Sequence, residues 1–322
     1  MLCLDQSGHE PAGGPATNVA RLHALLEHGP RQAVFYDREA GAWARSARAL
    51  DGARPRWLDR GLGVAFGLGF TQELESAYRF LIETHAPGDR VYLFGCGPGA
   101  YTVRALAALL YKCGLLREDR HALVAQALKL FKYEERPRLH AGFRRTFSRR
   151  VTVRLLGLFD PLASPGRVYD LLGLPFLQRN PRVEVVRLAL ALDERRAWLR
   201  PGPWGPALRR QDVRQLWFAG EHADVGGALP EGQDAPSSPA LFWMLDEARR
   251  HGLLIDEPRY AESLRAWPPE ALGPLQVSPR ALGCRRRPPE RALVHRSVAR
   301  RLADPALGYA PSNLLRPVFV DA

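Results

Sequence analysis

At 322 residues, 46% hydrophobic and 25% charged, the chain is long enough to bury a large core and too apolar to remain unfolded. No stretch approaches the roughly 18 consecutive apolar residues of a membrane helix. The four cysteines (Cys3, Cys96, Cys113, Cys284) stand far apart with no C-x-x-C pair and no His-x-x-x-His partner, which argues against a zinc site or a disulfide framework, so no metal and no cofactor is expected.

The formal charge of +12 comes from scattered arginines with few lysines. That pattern fits a GC-rich coding sequence better than a surface for nucleic acid or anionic membrane. The N-terminus has no charged region ahead of a long apolar run, so a cytoplasmic protein is expected, or one exported by a route that uses no leader.

Met1 to Asp5 reads as a short first strand and Gln6 to Gly14 as a polar loop. Thr17 caps a helix, and Ala33 to Tyr36 is a second strand. Arg38 to Gly69, rich in glycine and arginine, reads as a loop. Thr71 to His85 is a helix with Leu74, Ala77, Tyr78 and Leu81 on one face. Val91 to Phe94 is a buried strand that meets Gly95-Cys96-Gly97-Pro98-Gly99, and a helical period follows through Val103, Leu106 and Leu110. Glu118 to Arg150 is a largely helical, basic excursion, placed at about 117–150. Val151 to Phe159 is a strand that delivers Asp160 at its C-terminal end, and Pro161 to Pro175 is a loop. Val183 to Leu192 and Arg214 to Ala219 are further strands, the latter leading into the loop Gly220 to Gly227. Ser237 to His251 is a helix, and the arginine- and proline-rich tail reads as irregular cover. Strands alternating with helices predict one α/β domain over 1–322, with a mostly parallel sheet and helices on both faces.

Small residues two before and two after a central position let a strand turn sharply into a helix, as in the nucleophile elbow G-x-S-x-G. Here Gly95 and Gly99 supply the frame, while Gly97 stands where the serine would be. The next residue, Pro98, has no N–H to give to an oxyanion; one such donor is worth roughly 3 kcal/mol of transition-state stabilisation. Taken alone, the stretch also fits an ordinary strand-turn-helix loop.

Several motifs in order then identify a resemblance. TNVARL at Thr17, AYRFL at Ala77, PGDRVYLFG at Pro87, GAYTVRALAALLYKCGLL at Gly99, LGLFDPLASPG at Leu156, LALALDERR at Leu188, LWFAGEHADVGG at Leu216, VHRSVARR at Val294 and YAPSNL at Tyr309 resemble the α/β-hydrolase family that includes the catalytic domain of type VI secretion lipase (phospholipase) effectors. The resemblance implies an α/β-hydrolase-like fold and a serine, aspartate, histidine triad acting on lipid esters. It places Asp160 at the acid and His222 at the base, and Gly97 at the missing nucleophile. Two further departures accompany it: Asp5-Gln6-Ser7 replaces an Asp-Gly-Thr loop near the site, and Leu188 replaces a histidine.

On this reading the chain is a degenerate serine hydrolase with a lipid or acyl ligand, or a protein partner such as an active paralogue. Asp5, Gly95, Cys96, Pro98 and Asp224 are candidate ligand contacts. The alternative is an active esterase or phospholipase with a non-standard nucleophile, and an electrostatic binder of nucleic acid is the weakest class. Blander roles stand beside each residue. Asp160 fits a loop cap, His222 and Asp224 a local hydrogen-bonded turn, and Cys96, one position before the apex, a buried inert thiol. Thr102 fits a packing or backbone-bonded hydroxyl. Arg104 and Arg154 fit structural ion pairs or contacts to an anionic ligand.

Overall fold

The computed structural model describes residues 1–5, 16–37, 58–133, 136–163, 174–196, 199–230, 233, 235–276 and 285–321. The expected loop over 6–14, the first part of the loop over 38–69, most of the loop over 161–175, and Cys284 lie outside the described residues. In chain order the elements begin with β1 (Leu2–Leu4), α1 (Asn18–Ala24), β2 (Phe35–Asp37), α2 (Leu58–Thr84), β3 (Val91–Cys96) and α3 (Gly97–Lys112). The excursion follows as β4 (Leu115–Leu116), a 3-10 turn, α4 (Val124–Tyr133), α5 (Pro137–Phe147) and β5 (Ser148–Arg149). Then come β6 (Val153–Phe159), β7 (Val183–Ala191), β8 (Asp212–Phe218), α6 (His222–Gly226), α7 (Ser238–Arg250) and α8 (Glu257–Ala266). The tail holds β9 (Leu293–His295), α9 (Arg296–Ala303) and β10 (Val318–Val320).

Eight strands form one sheet in the order β10-β9-β8-β7-β6-β3-β1-β2, and every described pairing in it is parallel. Parallel strands buried on both faces need apolar side chains at nearly every position. VYLFGC in β3 and VRLLGLF in β6 meet that need, and alternate residues feed two cores. Leu93, Leu156 and Leu158 join Leu74, Tyr78, Leu106 and Leu109 of α2 and α3 on one face. Phe94, Leu155 and Phe159 join Leu22 of α1 and Leu241 and Leu245 of α7 on the other. Chain order reverses between β1 and β3, so the crevice at their carboxyl ends is a topological switch point, where open α/β sheets hold ligands. The excursion leaves and returns at one place, because β4 pairs antiparallel with β5 in a ribbon of its own.

The expected elements need three corrections. Helix α2 starts at Leu58, not at Thr71. Glycines in the stretch before Phe70 cost about 1 kcal/mol each in a helix and make it read as loop, but packing overrides the propensity once Phe70, Leu74, Ala77, Tyr78 and Leu81 seat the helix in the core. Gly220–Gly227 is not all loop, since α6 occupies its centre. The tail is not irregular cover: β9 and β10 extend the sheet beyond β8, with Val294 opposite Trp217. Three-residue strands flanked by arginine and proline carry too little period-2 pattern to be read from sequence.

Candidate active site

Strand β3 passes into α3 at Gly97, whose φ is +50°. A left-handed apex between strand and helix is the strained backbone of a nucleophile elbow, and glycine adopts it without the cost a serine would bear. The flanking glycines are required by close approach. A Cβ on Gly95 would sit 2.7 Å from the Ala100 backbone, and one on Gly99 would sit 2.2 Å from the Leu4 carbonyl oxygen. The second clash pins the elbow against the end of β1, where Asp5 begins. Pro98 lies in the first turn of α3, where a missing N–H leaves no helix bond unmade.

Asp160 follows the last residue of β6, itself at φ +40°. His222 opens α6, just beyond β8. The two meet: His222 Nδ1–H donates to Asp160 Oδ2 at 2.6 Å, the carboxylate fully buried. A triad acid engages this same nitrogen of its histidine. Asp160 is also held from two other sides. The Ala191 N–H donates to Oδ1 at 2.9 Å. Arg286 spans both oxygens, with 3.0 Å to Oδ2, while its guanidinium also donates to the Ala191 and Leu199 carbonyls. Burial pushes the Asp160 carboxyl up, but the Arg286 guanidinium and the His222 bond outweigh it and hold the group well below the usual carboxylate range.

Backbone anchors around His222 explain several of the motifs. Glu194 Oε2 accepts the His222 N–H at 3.1 Å and is fixed by Arg196. Asp193 Oδ2 accepts the Gly220 N–H and the Tyr309 hydroxyl, both at 2.7 Å. The acidic pair of LALALDERR thus clamps the segment that carries His222. Asn313, from YAPSNL, donates to the Leu192 and Arg286 carbonyls. Asn18, from TNVARL, donates to Val225 and Ser237 carbonyls at 2.9 Å each, which ties α1 to the far end of α6.

The remaining candidates fall as follows. Asp5 Oδ2 accepts from the Thr17 hydroxyl at 2.6 Å and the Tyr36 hydroxyl at 2.8 Å, at the switch-point end of β1. Asp224 forms a capping box with Glu221, accepts the Gln276 N–H as well, and is pushed up to about 6, burial being the main cause. Cys96 is fully buried, its sulfur 3.9 Å from the Gly226 carbonyl. Leu188 is core, paired across β7 with Leu158 and Gln215. Thr102 donates to the Glu73 carboxylate at 3.3 Å, not to backbone. Arg154 pairs with Glu184 at 2.8 Å. Among the described residues, no cluster of histidine, cysteine and carboxylate side chains could hold a metal ion.

Residues 1–247 match the family described as "T6SS, Phospholipase effector Tle1-like, catalytic domain". The chain belongs to this family. It is 32% identical over 229 residues to the "Uncharacterized protein YEL023C" of Saccharomyces cerevisiae, which covers 65% of this chain and 33% of that protein. It is also similar to a chain in the "Crystal structure of an uncharacterized protein from Pseudomonas aeruginosa", with 18% identity and a TM-score of 0.39 over 79% of this chain and 46% of that one. The chain therefore spans about a third of the yeast protein and just under half of the Pseudomonas chain. Among the described residues no helix is long and apolar enough to cross a membrane.

Two residues that touch Asp160 and His222 escape sequence reasoning. Arg286 sits in the run Arg285-Arg286-Arg287, which composition cannot distinguish from the other scattered arginines. Glu194 lies inside a recognised motif, but nothing in the motif says that its carboxylate receives the backbone of His222.

Proposed function

We propose that this member of the Tle1-like phospholipase family binds a lipid or acyl ligand at the carboxyl edge of its sheet without turning it over. The observation that carries the reading is a buried Asp160–His222 bond of 2.6 Å beside an elbow whose apex is Gly97 at φ +50°. An acid and a base are held in working register with no hydroxyl or thiol at the apex to receive their help. Removing a nucleophile costs on the order of a millionfold in kcat in the best-studied serine hydrolase, and Pro98 takes away an oxyanion donor worth roughly 3 kcal/mol. Cys96, the nearest thiol in sequence, is enclosed in the core with Phe94 and Val225.

The same buried pair favours a second reading, in which His222 activates a water directly. One experiment separates the two. Hydrolysis of short acyl esters and phospholipid vesicles is measured for the wild type, for Gly97→Ser with Pro98→Arg, and for each with His222→Ala. The binding reading expects a silent wild type and a double variant whose new activity disappears with His222→Ala. Wild-type hydrolysis that depends on His222 would replace it with the second reading.

A further inference from the structure

Arg104 is 2% exposed, and among the described residues no carboxylate pairs with it. Its described contacts are the Gly202 carbonyl and the face of Trp204, 6.0 Å from the ring centre, while its Nε has no hydrogen-bond partner. Arginine is almost never buried in this way without an anion, since both the charge and each unmade hydrogen bond are costly. Burial pushes the Arg104 guanidinium down to about 9, still above physiological pH, so the group stays cationic. Arg154, by contrast, has its carboxylate in Glu184.

Arg104 lines a cavity of about 690 Å³, walled also by Tyr101, Ala163, Leu174, Leu177 and Phe176, with Gln178 and the exposed Arg179 beside them. That volume lies within the roughly 300–1,000 Å³ of small-ligand sites. The position is tied to the elbow, because Gly97, Tyr101 and Arg104 follow one another at i, i+4 and i+7 on α3 and so share a face. Two turns further along that face, Tyr111 packs against Phe176, ring centres 4.7 Å apart. Ala163 lies three residues past Asp160, and the Gly202 N–H donates to the Pro161 carbonyl at 2.7 Å. The cavity thus lies along α3 one turn past the Gly97 turn, beside the segment that follows Asp160.

We propose that this cavity binds a single-chain anionic amphiphile, with a carboxylate or phosphate monoester head on Arg104 and an apolar tail against Tyr101, Leu174, Leu177 and Phe176. The proposal rests on the lipid-binding reading above and names its ligand class and anchoring residue; it does not depend on whether the elbow is silent. The apolar walls argue for a tail, and a buried arginine with no carboxylate partner among the described residues argues for an anionic head.

The test is displacement of a fluorescent fatty acid from the full chain by dodecanoate, dodecyl phosphate, dodecanol, acetate and inorganic phosphate. Dodecanoate, dodecyl phosphate or both should bind at least tenfold tighter than dodecanol, and the two headgroup sources are told apart by which displaces better. Acetate and inorganic phosphate should not compete at the same concentrations. Arg104→Met should abolish the preference for the charged head while dodecanol binds within about twofold of wild type. Phe176→Glu, on a side chain 39% exposed and therefore tolerant of change, should weaken the anions at least tenfold by placing a carboxylate at the mouth. Equal binding of dodecanol and dodecanoate, or a preference that survives both variants, overturns the Arg104 assignment alone. Competition by inorganic phosphate as strong as by dodecyl phosphate overturns the amphiphile. If no amphiphile binds, charged or neutral, the lipid-binding reading falls too.

Discussion

Arg286 reaches Asp160 from 126 residues further along the chain and ends 3% exposed in its side chain against a fully buried carboxylate. Breaking such a pair by removing one partner leaves an uncompensated charge, which typically costs 3–5 kcal/mol. Arg286→Met should therefore lower the free energy of urea unfolding by about that much, and adding Asp160→Asn should recover part of the loss. A smaller loss would mean that the Ala191 N–H and His222 suffice to hold the acid. The sign of the pH dependence follows from the depressed Asp160. Its contribution is fully present above the unfolded value near 4 and is lost as pH falls toward the folded value. Wild-type stability should drop steeply below about pH 4, and Asp160→Asn should flatten that limb. The resemblance singled out Asp160 and His222, each in a distinctive motif at a strand end, and the structure brings them into contact, whereas their partner Arg286 was not legible, since one arginine among many carries no local pattern.

Elements were legible where one periodicity dominates. The runs of β3, β6 and β7 read as buried strands, their alternation with helices pointed to a parallel sheet, and the glycine frame of the turn after β3 followed from its spacing. Gly99→Ala tests that frame: a Cβ 2.2 Å from the Leu4 carbonyl meets backbone, not a movable side chain. The change should destabilise by about 1–3 kcal/mol or more in chemical denaturation, and a neutral effect would mean that β1 and the elbow are less closely seated than described. At the other end of the sheet, His295 closes β9 and caps α9 by accepting the Ser297 N–H at 3.2 Å. It is buried, stacked on Phe218, and pushed down to about 4 by burial and by the nearby Arg296 and Arg300. A histidine kept neutral in the fold costs stability wherever the unfolded chain binds the proton instead. Stability should therefore fall as pH drops from about 6.5 to about 4, by roughly 3 kcal/mol in all. His295→Asn keeps a capping side chain and should remove that slope.

At the scale of the whole molecule, the family match ends at residue 247, but the fold and the site do not. Residues 285–321 supply two strands of the sheet, the Arg286 clamp on the acid, and the Tyr309 and Asn313 bonds to the segment after β7. Residues 1–247 expressed alone should lose cooperative thermal unfolding, with the β8 edge uncovered and Asp160 buried without its cation. A melting temperature equal to that of the full chain would show that the tail is dispensable to the core.

By itself the sequence determined the alternation of buried strands and helices and the glycine-framed turn between β3 and α3, and its resemblance to the family singled out Asp160 and His222 as the expected acid and base. The first two are properties of local pattern, set within a few residues of each position, whereas the roles of Asp160 and His222 come from the resemblance alone. Only the tertiary structure decided that Asp160 and His222 touch, that an arginine from the tail pairs with Asp160, and that among the described residues Arg104 has no carboxylate partner beside a cavity. These depend on which strand ends meet at one edge of the sheet and on what burial does to a charge there, and neither is set by near neighbours in the chain.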